Sequence, residues 1–174
     1  PTFQLIFNKK LATQSTISRR LNNQNEKTLN QLLAINNKLL DESYRLKSPE
    51  YVVLDIDSTY IETYGNQENK AFNYHYKNNG FHPQMVFDGL TGDLIKSDLR
   101  SGNVYTSTGI SEFIKPILKH YKNQVKPEYM IIRCDSGYAK PELYRLAEKN
   151  NIDYTIRLKA NKKLYEKAQD LTEE

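Results

Sequence analysis

Residues 52–59 read VVLDIDST, and no other stretch constrains the fold as strongly. Its apolar, β-branched opening is that of a buried strand, yet the strand runs into two carboxylates, Asp55 and Asp57. An ionised carboxylate resists burial unless it is paired or coordinates a metal, so the strand has to deliver the pair to a site. Two chemistries use such a pair. Asp55 attacks a phosphoryl group with Asp57 as its acid/base partner, or one carboxylate holds a divalent metal for hydrolysis of a nucleic-acid phosphodiester.

The chain has 174 residues, which suits one domain with a real core and leaves room for a small appendage. Lys and Arg number 25 against 21 Asp and Glu, a net charge of +4. That surplus suits nucleic acid but is common elsewhere, so it decides little alone. The single cysteine, Cys134, rules out an internal disulfide, fits a reducing compartment and is expected to be a buried small apolar group. No apolar run approaches the roughly 18 residues of a membrane span, and no signal-peptide pattern opens the chain. The expectation is a cytoplasmic protein. Because it begins at Pro1 without a methionine and ends in a charged stretch, the chain reads as a piece of something longer.

Composition shifts near Ser48-Pro49, which divides a helical segment, 1–49, from a strand-rich domain, 50–174. The first fifty residues hold eight Lys and Arg against four Asp and Glu, so the whole +4 sits there. Phe3 to Phe7 is their only strand-like stretch. Thr13 to Leu21 reads as a short helix capped by Thr13 or Ser15. Asn25 to Lys47 reads as a longer one, with Leu29, Leu32, Leu33, Asn36, Leu39, Leu40 and Tyr44 near one face, a helical spacing with one polar interruption. Past Pro49, Tyr51 to Tyr64 reads as a long strand, followed by a polar, Asn-rich stretch from Gly65 to Gly80. Phe81 to Phe87 and Leu94 to Leu99 form a hairpin around Asp88-Gly-Leu-Thr-Gly92. A helix with Ile110, Phe113, Ile114, Ile117, Leu118 and Tyr121 on one face follows, with Pro116 a candidate kink. Tyr129 to Cys134 is a strand, Pro141 opens a helix as its first residue, and Ile152 to Leu158 is the last strand.

The resulting order, β-β-β-α-β-α-β, bears on the two chemistries. Asp55-Ile-Asp57-Ser-Thr59 resembles the first motif of the haloacid-dehalogenase phosphatases. Those enzymes use a doubly wound parallel sheet with a helix after each strand and a later lysine with an acidic pair. Here the DxD strand leads into a hairpin, and although Lys159 is available as the lysine, no convincing acidic pair at a strand end follows it. An antiparallel three-strand meander followed by α-β-α-β is instead the order of the ribonuclease H-like α/β fold, a mixed sheet. In that fold carboxylates of the first and fourth strands lie side by side. Asp135, at the end of Tyr129 to Cys134, is in the position to meet Asp57, and Gly137 lets the backbone turn sharply past such a site.

Several ordered motifs carry a more specific resemblance: DIDSTYIETYGNQE (Asp55 to Glu68), GFHPQMVFD (Gly80 to Asp88), LTGDLIKSDLRSGN (Leu90 to Asn103), IRCDSGY (Ile132 to Tyr138) and YTIRLKAN (Tyr154 to Asn161). Together they resemble the DDE transposases of bacterial insertion sequences, group 1. LATQSTISRRLNN (Leu11 to Asn23) resembles the segment these proteins carry upstream. The resemblance implies metal-dependent strand cleavage and strand transfer, with Asp57 and Asp135 as the first two catalytic, metal-binding carboxylates and Asp55 as a further candidate ligand. It implies two Mg²⁺ or Mn²⁺ ions in the complete enzyme, DNA as partner (element ends and target) and a homodimer in the transposition complex, in the bacterial cytoplasm at the nucleoid. The third carboxylate, a glutamate on a later helix, is expected well beyond Lys159 and outside these residues, so this piece by itself is expected to be inactive. The alternatives are the phosphatase and a non-catalytic DNA-binding remnant.

Arg19, Arg20, Arg100, Arg157 and Lys159 are the candidate DNA contacts, since Arg and Lys position a duplex through its phosphates. Arg19 and Arg20 lie in Thr16 to Leu21, which resembles a helix-turn-helix recognition helix. His82 is a candidate to activate water or touch phosphate. Tyr60, Tyr64, Tyr74 and Tyr76, near Lys70 and Lys77, are candidates for a basic and aromatic DNA surface.

Overall fold

A computed structural model describes residues 12–47 and 49–169. The chain divides into two compact units, Pro1–Ser43 and Tyr44–Glu174. In the first, helix α1 spans Gln14–Asn22. Thr13 has extended backbone and its hydroxyl accepts from Thr16 N, which satisfies one of the amides that a helix start leaves unpaired. Helix α2, Glu26–Lys47, begins where Asn25 Oδ1 accepts from Thr28 N at 3.1 Å. Its apolar stripe forms as the spacing requires, yet Leu29, Leu32, Leu33 and Leu39 are exposed among the described residues. The strand reading of Phe3 to Phe7 lies outside the described residues.

The second unit is built on a five-stranded mixed sheet of β1 (Val52–Ser58), β5 (Gln84–Asp88), β6 (Leu94–Asp98), β7 (Met130–Cys134) and β8 (Asp153–Ile156), in the order β6-β5-β1-β7-β8. The first pairings, β1–β5 and β5–β6, are antiparallel, while β1–β7 and β7–β8 are parallel. This is the ribonuclease H-like arrangement. Side chains alternate across a strand, and register puts Val52, Leu54 and Ile56 on one face with Val86, Met130 and Ile132. All six are essentially inaccessible. The opposite face carries Asp55, Asp57, Met85 and Arg133.

Helix α3, Ile110–Tyr121, buries Ile110, Phe113, Ile114, Ile117, Leu118 and Tyr121. Pro116 sits inside it without ending it; a proline there costs about 3 kcal/mol, and burial of that apolar face offsets the loss. Pro141 stands at the start of α4, Pro141–Lys149, where its missing N–H is no loss. A last helix, α5, spans Lys162–Ala168.

The β5–β6 hairpin is closed by Asp88, whose Oδ1 accepts from Leu90 N and Thr91 N at 2.8 and 3.2 Å. Gly92 has φ +78°, open to glycine at no steric cost. The buried Asp88 also accepts from the Tyr44 hydroxyl. Burial, then this bond, raises the Tyr44 pKa above its ordinary value.

Two readings change. The strand expected over Tyr51 to Tyr64 breaks after Ser58 and resumes as β2, Ile61–Glu62. The Asn-rich stretch then supplies β3 (Ala71–Asn73) and β4 (Asn78–Phe81), giving a second sheet in the order β2-β4-β3. Strands of two to four residues carry too little periodicity to show in sequence.

Candidate active site

The parallel pairing of β1 and β7 positions the two aspartates. Ile56 and Cys134 are the last register pair, so Asp57 and Asp135 each stand one residue further on, where two neighbouring strands end. Both are exposed and line one cleft of about 500 Å³. Asp57 Oδ1 accepts from Ser58 N at 2.7 Å. Asp135 Oδ1 accepts from Gly137 N at 2.9 Å and so caps the 3₁₀ turn Ser136–Tyr138. One oxygen of each is thereby oriented and the other is left for a hard cation, which takes oxygen ligands. Among the described residues no cluster of three His, Cys, Asp or Glu side chains could hold a metal. The two aspartates fit a divalent ion as a partial set.

Gly137 acts by size. A Cβ there would meet Asp135 Oδ1 at 3.0 Å and Thr106 Cγ2 at 2.9 Å, so any side chain pushes on the carboxylate or on the loop that faces it. Tyr138 lies fully buried beneath, and burial raises its hydroxyl pKa.

Asp55 has another partner. Arg133, its register neighbour on β7, donates Nε to Oδ1 at 3.0 Å and Nη2 to Oδ2 at 2.6 Å. This two-bond pair engages both oxygens, and Asp55 is not among the residues lining the cleft.

The chain matches the family model for the transposase DDE domain, group 1, over residues 1–174. The chain belongs to that family. No curated protein matches it. Solved structures with similarity include a piggyBac transposase synaptic complex with hairpin DNA, at 16% identity and TM-score 0.45, covering 67% of this chain and 25% of that one. The catalytic domain of Mos1 mariner transposase is 14% identical, TM-score 0.42, covering 75% and 61%. A Mos1 mariner paired-end complex with Mn is 12% identical, TM-score 0.40, covering 92% and 63%. The chain therefore spans between 25% and 63% of these relatives' length.

Within this DDE domain the candidate DNA contacts separate. Arg157 and Lys159 are exposed beyond β8, and Arg157 N donates to Cys134 O at 3.1 Å, which places that backbone beside the second aspartate's strand. Arg19 and Arg20 are exposed in the last turn of α1, in the first unit. Arg100 is a correction. It is only 9% exposed, and its guanidinium donates to the carbonyls of His82, Thr106 and Thr108 at 3.0, 3.0 and 3.2 Å. Those bonds hold the loop after β6 against the start of β5, so a phosphate has no access to them. His82 is likewise 7% exposed and bonded through Nδ1 to Val104 O at 2.8 Å. A carbonyl only accepts, so Nδ1 carries the proton, and the ring holds the same loop while lining the cleft.

Sequence reasoning missed Lys140, whose ammonium lies 5.2 Å from the centroid of the Tyr105 ring at the cleft wall. Its place five residues after Asp135 was the available signal. Cys134 is buried as expected, and burial first, then the charges of Asp135 and Asp55, pushes its thiol up to about 12. The folded protein at pH 8 is therefore expected to resist iodoacetamide for hours, while the urea-unfolded chain labels in minutes. Mass spectrometry of timed samples reads this; equal labelling in both states would mean that Cys134 is accessible.

Proposed function

We propose that the chain is the first part of a transposase catalytic domain that cleaves DNA at the ends of an insertion sequence and joins them to target DNA. The observation that carries this reading is the convergence of Asp57 and Asp135 on one cleft, in a chain of the DDE family. They would hold Mg²⁺ or Mn²⁺, which supplies Lewis-acid polarisation of the phosphodiester and a more acidic water. Asp57 and Asp135 would offset the cation's charge and fix its place at the strand ends. Exposed Arg157, Lys159 and Lys140 would hold the DNA backbone near them, and Arg19 and Arg20 with the basic residues 1–49 would bind the duplex elsewhere without reading sequence. A glutamate from a later helix would complete the carboxylate set, two ions then being held. DNA ends and target are the partners, and a homodimer working at the bacterial nucleoid is the assembly this chemistry suits.

Mn²⁺ titration of the wild-type chain and of the Asp57→Ala/Asp135→Ala double variant tests the site. Weak binding is expected for the first, since two carboxylates make an incomplete cage, and none at this site for the second. Superimposable curves would remove the assignment. The phosphatase alternative is separated in the same samples, because it requires turnover of p-nitrophenyl phosphate that Asp55→Asn abolishes.

A further inference from the structure

The small sheet β2-β4-β3 has no part in holding the aspartates, yet its β3–β4 turn opens onto their cleft. Tyr74, His75 and Tyr76 line the same cavity as Asp57 and Asp135. The rings around this turn face water: Tyr74 is 84% exposed, Tyr76 48% and Phe72 43%. Such a patch of aromatic surface at the rim of a reactive cleft is the kind of feature that marks a binding surface.

The rings are also held in place before anything binds. Asn73, 6% exposed, accepts through Oδ1 from His75 N at 2.9 Å and Tyr76 N at 3.1 Å. Its Nδ2 donates to Gly102 O at 2.8 Å, so the turn is tied to the loop after β6, which also lines the cleft. Tyr60 and Tyr76 stack with centroids 4.5 Å apart and planes 11° from parallel, and the Tyr60 hydroxyl donates to Asn79 O at 2.8 Å. Tyr74 meets the Phe72 ring edge-on, with centroids 5.3 Å apart and planes at 83°. Rings fixed in this way lose little freedom when a ligand arrives.

We propose that this aromatic turn, with Tyr74 as its open face, is a stacking site for an unpaired nucleobase of a strand whose backbone Arg157, Lys159 and Lys140 would hold near Asp57 and Asp135. The proposal rests on the DNA-cleaving reading above and adds to it where the bases beside the scissile bond go. Two features favour a base over an apolar protein segment. Tyr74 and Tyr76 are phenols, set among the polar Asn78 and Asn79 with the exposed cation Lys77 beside them, and basic groups interleaved with aromatic rings suit single-stranded nucleic acid. The site is also continuous with the cleft of the two aspartates, where a DNA chain would already be held. A paired base is stacked within its duplex and shows no face, so only an unpaired base reaches Tyr74. Stacking of this sort tolerates any base.

The test uses the full chain in EDTA, so that no cleavage occurs. Its probes are a duplex with a three-nucleotide unpaired end carrying 2-aminopurine and a fully paired duplex of equal length. The expected results are binding of the unpaired-end duplex about tenfold tighter than the paired one and quenching of 2-aminopurine on binding. Tyr74→Ala is expected to remove the preference and the quenching, and Tyr74→Phe to keep both; the exposed position of Tyr74 leaves folding to the rest of the unit. Equal affinity for the two duplexes, or a preference that survives Tyr74→Ala, overturns the stacking site and leaves the transposase reading standing. Binding to neither DNA overturns both.

Discussion

Asp57→Asn or Asp135→Asn, each alone, is expected to lower metal-dependent strand cleavage about a thousandfold in a protein that carries this chain together with a third carboxylate. An amide oxygen keeps the shape of the side chain but removes the negative charge that retains and places the cation. Metal stabilisation of a phosphoryl transition state is worth several kcal/mol, and about 4 kcal/mol corresponds to a thousandfold in rate. Asp55→Asn is expected to stay within about threefold, because the pair it breaks with Arg133 is solvent-exposed and such pairs contribute little. Single-turnover cleavage of an end-labelled duplex carrying the element terminus distinguishes the three variants. A loss at Asp55 as large as at Asp57 would show that the first aspartate of the DxD pair takes part in the chemistry, and the present assignment would fail.

Arg100→Ala should be the most damaging single change to stability among the charged residues discussed. The guanidinium donates to three buried or half-buried backbone carbonyls, and its removal leaves them without donors. Unpaired buried acceptors cost about 1–3 kcal/mol each, so a loss of about 4 kcal/mol is expected, roughly 10–20 °C in Tm for a unit of this size. Arg100→Lys is expected to recover little, since a single ammonium cannot reproduce the planar fork. Thermal unfolding followed by circular dichroism measures both. A shift below about 3 °C for Arg100→Ala would mean that the loop from Ser101 to Thr108 is held by other contacts. Gly102, Val104 and Thr106 of that loop line the cleft, so a variant that folds should also bind DNA less well.

These expectations rest on different depths of the argument. Val52 to Ser58 was legible as a strand because β-branched residues in a buried run leave few other conformations, and its exit into Asp57 marked a site at once. The stripe of Ile110 to Tyr121 and the proline opening Pro141–Lys149 were legible for similarly local reasons: helical periodicity and the fixed φ of proline. The order of elements then narrowed the topology, because a hairpin after the first strand is incompatible with a helix there. Asp57 and Asp135 could be paired on that topology alone, although 78 residues separate them.

What local pattern could not decide were the partners of polar side chains. Asp55 and Asp57 are equivalent by alternation, and only the parallel register with β7 sets Arg133 opposite Asp55 and leaves Asp57 at the open strand end. Arg100 looks in sequence like any basic residue after a strand; its burial follows from a loop that folds back over it, and no periodicity reports that. The aromatic turn depends on Asn73 reaching Gly102, 29 residues away, so Tyr74 and Tyr76 enter the cleft through a contact that exists only once both segments have folded. Hydrophobic periodicity determined the strands of the five-stranded sheet, the main helices and the fold they imply, because burial of apolar surface is periodic along the chain. Which charged and aromatic groups were left for chemistry was decided by tertiary structure, because hydrogen-bond partners are chosen in space.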